Sequence, residues 1–277
     1  MTSRSAEPVT DVQNVAAEAF ELLDTGRQVV PFSSRLPRFD LEGAYHVTAA
    51  VRRMRESRGE TPLGRKIGFT NRTIWDEYQI GAPMWGYIYD RTVHDLADVG
   101  PTVSLAGLAE PRIEPEIVFA LATAPAPGMD ERALLGCVDW VAHGFELVQS
   151  IFPRWEFTLP DTVAAYGLHG MLLIGPRHSI AEHHDVWLGN LSTFGIDLKR
   201  DGVVVDQGQA SNVLGGPLSA LRHLVEVLAS DPINPPLATG EIVTTGTLTR
   251  AFPVAAGETW TTELTGVSLD GIAVRFT

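Results

Sequence analysis

The chain has 277 residues, with 34 Asp and Glu against 21 Lys and Arg, a formal net charge of −13 and 44% hydrophobic residues. That length holds one large domain or one domain with a smaller appendage, and the acidic balance excludes a broad nucleic-acid-binding face, which needs clustered cations. A single cysteine, Cys137, excludes an internal disulfide framework and a cysteine-built zinc site, and within the apolar ALLGCVDWV it reads as a buried structural thiol of a reducing compartment.

The chain opens on MTSRSAEPVTD, without the apolar core of a signal peptide. No apolar run is long enough to span a bilayer, so a cytoplasmic protein with no membrane partner is expected. Asp11 is placed to cap a helix over VQNVAAEAFELLDTG, whose Val12, Val15, Ala16, Ala19 and Leu23 fall at helical spacing before Gly26. Asp40 is placed to cap a second helix through AYHVTAAVRRMRESRG to Gly59, and a short third one fits NRTIWDEYQ, 71–79. From about residue 84 the texture turns to short β-like runs broken by Gly and Pro: YIYDRTV, PRIEPEIVFAL, HGMLLIGP, STFGIDLKRDGVVVDQG, GEIVTTGTLT and GVSLDGIAVRF. Asp201-Gly202 marks a hairpin turn within KRDGVVV. MDERALLGCVDWVAHGFEL and GPLSALRHLVEVLAS read as helices between them. The expected organisation is a helical N-terminal region, 1–83, including a loop that carries Lys66, followed by a β-rich domain, 84–277.

Within PRIEPEIVFAL, Glu114 and Glu116 are two apart, so on a strand they share a face. Two adjacent carboxylates repel, and burying them costs several kcal/mol unless something neutralises them. A solvated strand face would accept both, but the apolar flank Ile117-Val118-Phe119 speaks for burial and for a hard divalent cation, which takes oxygen ligands. A third acid is then expected from a remote segment. Glu146, a lone charge in HGFELVQSIF, leads over Asp139, whose neighbours permit an exposed position. Lys66 in GRKIGFTN stands between Gly64 and Gly68, where a ligand can approach the backbone; beside a metal it would hold an anion or move a proton. His143 and His169 lie in apolar contexts as hydrogen-bonded core histidines, and His183 and His184 in a polar connection. No HExxH, GxSxG or GxGxxG is present.

GRKIGFTN, EPRIEPEIVFAL, GFELVQSIF and TGTLTRAFPVAAGETW together resemble the fumarylacetoacetate hydrolase superfamily, in its 2-keto-4-pentenoate hydratase and 4-oxalocrotonate decarboxylase branch, in order from about residue 10 to the C-terminus. The resemblance implies an α+β fold, a mixed β-roll domain with a small helical N-terminal region. It implies that Glu114, Glu116 and Glu146 hold Mg²⁺ or Mn²⁺, on which the 1-carboxylate and 2-oxo group of a 2-oxo acid would be chelated and an enolate stabilised. Lys66 matches the active-site lysine, Thr70 and Ser150 match small hydroxyls near the site, and Thr249 matches the region that contacts the substrate carboxylate. Relatives are usually dimers or larger, so a homo-oligomer is implied.

This sequence also departs from the pattern. Met84 in APMWGYIYD stands where the hydratases usually carry an Asp, and DTVAAYGLHG has Ala165, Tyr166, Gly167 and Leu168 in place of a polar segment. His169 or Tyr166 would have to substitute. A metal-dependent hydratase of 2-hydroxydienoates is therefore expected first, as in aromatic-compound catabolism. A 4-oxalocrotonate-type decarboxylase, an acylpyruvate-type C–C hydrolase using His169, and a catalytically impaired partner subunit are the alternatives. Trp75, Trp85, Tyr87, Trp155 and Tyr166 are expected to flank the pocket and make it aromatic.

Overall fold

Apolar runs between residues 62 and 275 form two sheets in the computed structural model, which describes residues 7–72, 75–100 and 102–277. The strands are β1 (Pro62–Gly68), β2 (Met84–Tyr89), β3 (Val93–Asp95), β4 (Arg112–Leu121), β5 (Val138–Val148), β6 (His169–Ser179), β7 (Gly195–Arg200), β8 (Val203–Gln209), β9 (Ile242–Thr244), β10 (Phe252–Pro253), β11 (Thr259–Thr265) and β12 (Ala273–Arg275). The larger sheet runs β2-β1-β9-β4-β5-β6-β3, with β10 added against β4; the smaller runs β12-β11-β7-β8. Pairing is mostly antiparallel, and β1–β9 and β3–β6 are parallel. The result is a mixed-sheet α+β fold.

The helices are α1 (Glu7–Leu22), α2 (Phe32–Arg35), α3 (Leu41–Ser57), α4 (Trp75–Tyr78), α5 (Leu96–Val99), α6 (Glu131–Leu135), α7 (Leu159–Ala164), α8 (His184–Asn190) and α9 (Pro217–Ala229). Asp40 caps α3 as its position predicts, accepting from the Gly43 amide at 2.9 Å. Helix α1 starts before Asp11, so that residue lies inside the helix. The short helix expected over 71–79 is present as α4, and Thr73 and Ile74 lie outside the described residues. Helix α9 places Leu218, Leu221, Leu224, Val225 and Leu228 on one stripe against the larger sheet. Helices α1, α3 and α7 form a second apolar cluster that reaches Met84, Val148 and Leu168. No described helix is long and apolar enough to cross a membrane.

Two expectations are corrected and one strand is added. The stretch 138–148 is strand β5, buried along most of its length, and not the continuation of a helix; only Glu131–Leu135 is helical there. Pairing with β4 on one side and β6 on the other explains its continuous apolar run. Lys66 lies on strand β1, not in a loop: GRKIG pairs with β2 and β9 inside the larger sheet. Strand β11 arises from TWTTELT, whose mixed polarity suits a sheet with one open face.

Candidate metal centre

The register of β4 and β5 assembles the acids. Glu114 lies directly opposite Glu146, and Glu116 opposite Gly144, so three carboxylates share one face of two adjacent strands. One oxygen from each falls within 4.8 Å of the others. Gly144 lets β5 pack closely here, since a Cβ there would lie 2.9 Å from Leu173 O. The Gly246 amide donates to Glu116 Oε2 at 2.8 Å, while Glu116 Oε1 is buried with no hydrogen-bond partner. Glu146 Oε1 faces His169 Nδ1 at 2.7 Å, and its Oε2 lies 3.1 Å from Lys66 Nζ.

The electrostatics show what the cluster lacks. Burial pushes Glu114 up to about 7, and Lys66 only partly offsets it. Burial, and then the charges of Glu146 and Glu114, drive Glu116 well above the usual carboxylate range. Burial also opposes ionisation of Glu146, but Lys66 and the His169 hydrogen bond outweigh it and hold Glu146 below its ordinary value. Lys66 in turn would be neutralised by burial, yet the three glutamates raise it and keep it cationic. With all three carboxylates ionised, one ammonium would leave about two negative charges to balance, with Arg112 contributing from further along β4, and the raised Glu114 and Glu116 register that missing cation. The all-oxygen donor set, its uncompensated charge and the orphaned Glu116 Oε1 fit a hard divalent cation.

A left-handed turn fixes the lysine. Tyr166, Gly167 and Leu168 hold φ of 59°, 64° and 61° in succession, which costs roughly 1–2 kcal/mol for each non-glycine residue. This turn lays the Gly167 carbonyl 2.9 Å from Lys66 Nζ. Gly86 allows the approach, because a Cβ there would stand 2.7 Å from Tyr166 O. The Tyr166 hydroxyl donates to Ala19 O near the end of α1 and anchors the turn from behind. The stretch Ala165 to Leu168, where polar residues were expected, thus works through its backbone.

His169 is buried with both ring nitrogens engaged: Nδ1 with Glu146, and Nε2 at 2.9 Å from Thr92 Oγ1. Burial holds its pKa below the ordinary histidine value despite Glu146, so it stays neutral and orients Glu146. His143 is the core histidine that its context predicts. Its Nδ1 donates to Glu116 O and its Nε2 accepts from Thr262 Oγ1, both at 2.9 Å, and burial lowers it to about 4.

The cleft beside the carboxylates encloses about 380 Å³ including its mouth, with Lys66, Glu114 and Thr247 among its polar lining. Thr70, Ser150 and Thr249 do not line it. The Thr70 hydroxyl donates to Thr245 O at 3.0 Å, bracing the loop whose Gly246 amide holds Glu116. A Cβ on Gly246 would sit 1.8 Å from Thr70 Oγ1. Ser150 closes a turn onto Phe152 O at 2.7 Å, and Thr249 donates to Arg250 O at 3.0 Å. Sequence reasoning missed Thr247, two residues from Thr249, and Arg112, which shares the strand face of Glu114 by the same two-residue spacing. Of the five aromatics expected at the pocket, Trp155 lines it; Trp75 does not and donates to Phe69 O at 2.9 Å, Trp85 and Tyr87 pack in the apolar core around α9 and Tyr166 lies in the cluster of α1 and α3. Phe69 was not expected there and does line it.

Comparison with known proteins gives a consistent picture. The family described as fumarylacetoacetate (FAA) hydrolase C-terminal matches residues 80–271. A 2-hydroxyhexa-2,4-dienoate hydratase of Comamonas testosteroni is 30% identical over 269 residues, covering 96% of this chain and 97% of that protein. A 4-oxalocrotonate decarboxylase of Pseudomonas putida is 30% identical over 241 residues, 87% of each chain. The structure of 4-oxalocrotonate decarboxylase from Pseudomonas putida G7 complexed with magnesium and adipate superposes with a TM-score of 0.86 at 25% identity, covering 99% of this chain and 100% of that one.

Proposed function

The chain belongs to the fumarylacetoacetate hydrolase family, and from that premise we propose that it is a divalent-metal-dependent lyase acting on a 2-oxo acid or its enol, of the 2-hydroxydienoate hydratase type. The observation that carries this reading is the convergence of Glu114, Glu116 and Glu146 beside the buried ammonium of Lys66. The three glutamates would hold the cation, Mg²⁺ or Mn²⁺ in this reading, and a cation bound there supplies Lewis acidity to the 2-oxo group and offsets the charge of an enolate. Lys66 Nζ attracts the substrate's anionic oxygens and exchanges the proton at the carbon next to the 2-oxo group. Gly167 O fixes the direction of that ammonium, and Glu146 keeps it charged until a proton is called for. His169 holds Glu146 in place. With both ring nitrogens engaged it is poorly placed to activate the water that C–C bond hydrolysis needs.

A decarboxylase is the second reading, supported by the 0.86 TM-score against 4-oxalocrotonate decarboxylase and by the apolar Met84 where an acid would assist hydration. The proposal includes a cytoplasmic location and assembly into a homo-oligomer, the latter measured by light scattering. Purified protein with Mg²⁺ is to be mixed with 2-hydroxypenta-2,4-dienoate and, separately, with 4-oxalocrotonate, following loss of ultraviolet absorbance. Metal-dependent consumption of the dienoate is expected, and Glu116→Ala is expected to lower it about 100-fold or more. The lyase reading fails if neither compound is consumed.

A further inference from the structure

Apart from Lys66, Glu114, Thr247 and the backbone of Gly68, the cleft is lined by Phe69, Met84, Val148, Trp155 and Leu168. Three of these five sit in the left-handed backbone region, with φ of 55° at Phe69, 58° at Trp155 and 61° at Leu168. They come from three separate segments: the exit of β1, the turn before α7 and the turn before β6. L-residues rarely adopt this conformation, and non-glycine examples persist where the surrounding structure imposes them, which happens most often around ligand sites. The fold thus spends backbone strain to turn three large apolar side chains toward one space. Met84 packs across two glycines there: a Cβ on Gly68 would lie 2.4 Å from its Cε, and one on Gly167 would lie 3.3 Å from its Sδ. The thioether therefore fills the ground beside Lys66 with apolar atoms. Arg112 is outside the lining, and its guanidinium lies 4.2 Å from the Trp155 ring centroid.

We propose that this part of the cleft is an apolar tail subsite that selects 2-oxo acids with an uncharged hydrocarbon chain and rejects those ending in a second carboxylate, with Met84, Trp155 and Leu168 setting the preference. The inference rests on the 2-hydroxydienoate hydratase reading above and speaks against the decarboxylase reading, whose substrate ends in a second carboxylate. With the acid end at Lys66 and the glutamates, the tail meets the apolar lining and, beside it, only the Thr247 hydroxyl, whose proton is already committed to Thr249 O at 3.0 Å. A carboxylate placed there would lose its hydration with no free donor in return.

The test is calorimetric binding to the Mg²⁺-loaded protein of two unreactive ligands of equal chain length, 2-oxohexanoate and 2-oxoadipate. We expect 2-oxohexanoate to bind about tenfold more tightly or better. Trp155 is partly exposed, so Trp155→Ala is expected to fold, to uncover the Arg112 guanidinium and to shrink the ratio about threefold or more. Binding of 2-oxoadipate as tightly as 2-oxohexanoate overturns the subsite and leaves the lyase reading standing, as does a ratio that Trp155→Ala leaves intact. If neither ligand binds, the underlying reading falls and takes the subsite with it.

Discussion

Lys66 is a buried amine whose charge depends on its neighbours. Burial alone would lower its pKa, and Glu146, Glu114 and Glu116 reverse that. In the proposed reading, replacing it with Met removes a proton carrier and adds to the negative charge facing the cation. Lys66→Met is therefore expected to lower kcat by about 10²–10⁴-fold while the shift in melting temperature produced by Mg²⁺ persists or grows. A kcat within threefold of the parent would remove Lys66 from the chemistry. His169 acts at one remove, through its 2.7 Å contact with Glu146. His169→Asn is expected to weaken Mg²⁺ binding about 10–100-fold, with much of the activity restored at saturating metal. Activity that stays low at every Mg²⁺ concentration would give His169 a direct part in proton transfer instead.

The element that differs most from what its residues suggested is the turn 166–168. Its Tyr166 hydroxyl satisfies the Ala19 carbonyl, one of the last four of α1, which lack partners within the helix. Tyr166→Phe is expected to cost about 1–2 kcal/mol, seen as a melting temperature lower by roughly 2–6 °C. An unchanged melting temperature would mean that the turn needs no anchor. Strand β4 was legible because Glu114 and Glu116 interrupt an otherwise β-like run at a spacing of two, helix α3 because Asp40 caps it, and helix α9 because its apolar residues fall on one stripe. Strand β5 was not, because a fully buried central strand shows no alternation and its apolar run is indistinguishable from a buried helix. Glu146 was nonetheless found, since a lone acid in that run stands out whichever element carries it. Strand β1 was hidden by GRKIG, where two cations and two glycines look like a loop. Arg65 and Lys66 are in fact buried on its opposite faces, Arg65 by Glu241 and Tyr87 and Lys66 by the carboxylates. The positive φ values at Phe69, Trp155 and Leu168 have no sequence signal, because they are imposed by packing on residues that ordinarily avoid them.

Across the whole molecule, the helical layer of α1, α3 and α7 covers β2 and the turn that holds Lys66, so the cleft depends on packing far from its chemistry. Burial in and around that layer raises Tyr45, Tyr89 and Tyr166 above the ordinary tyrosine value of 10.0, against smaller opposing effects from the Trp85 amide at Tyr45 and Arg55 at the other two. A phenol whose folded pKa is raised stabilises the fold fully below its unfolded pKa, and that contribution is lost as pH climbs beyond it. Ultraviolet titration should therefore show at least three of the five tyrosines ionising only as the protein unfolds in alkali. Reversible ionisation of all five near pH 10 in the folded state would contradict this packing.

The claim on which the rest depends is that three carboxylates from two paired strands hold one divalent ion. Titrating chelator-treated protein with Mn²⁺, and following free Mn²⁺ by electron paramagnetic resonance, tests it most directly. One Mn²⁺ bound per chain, competed off by Mg²⁺ and weakened about 100-fold or more in both Glu116→Gln and Glu146→Gln, is the expected result. No tight Mn²⁺ site, or one that survives both substitutions unchanged, would contradict it.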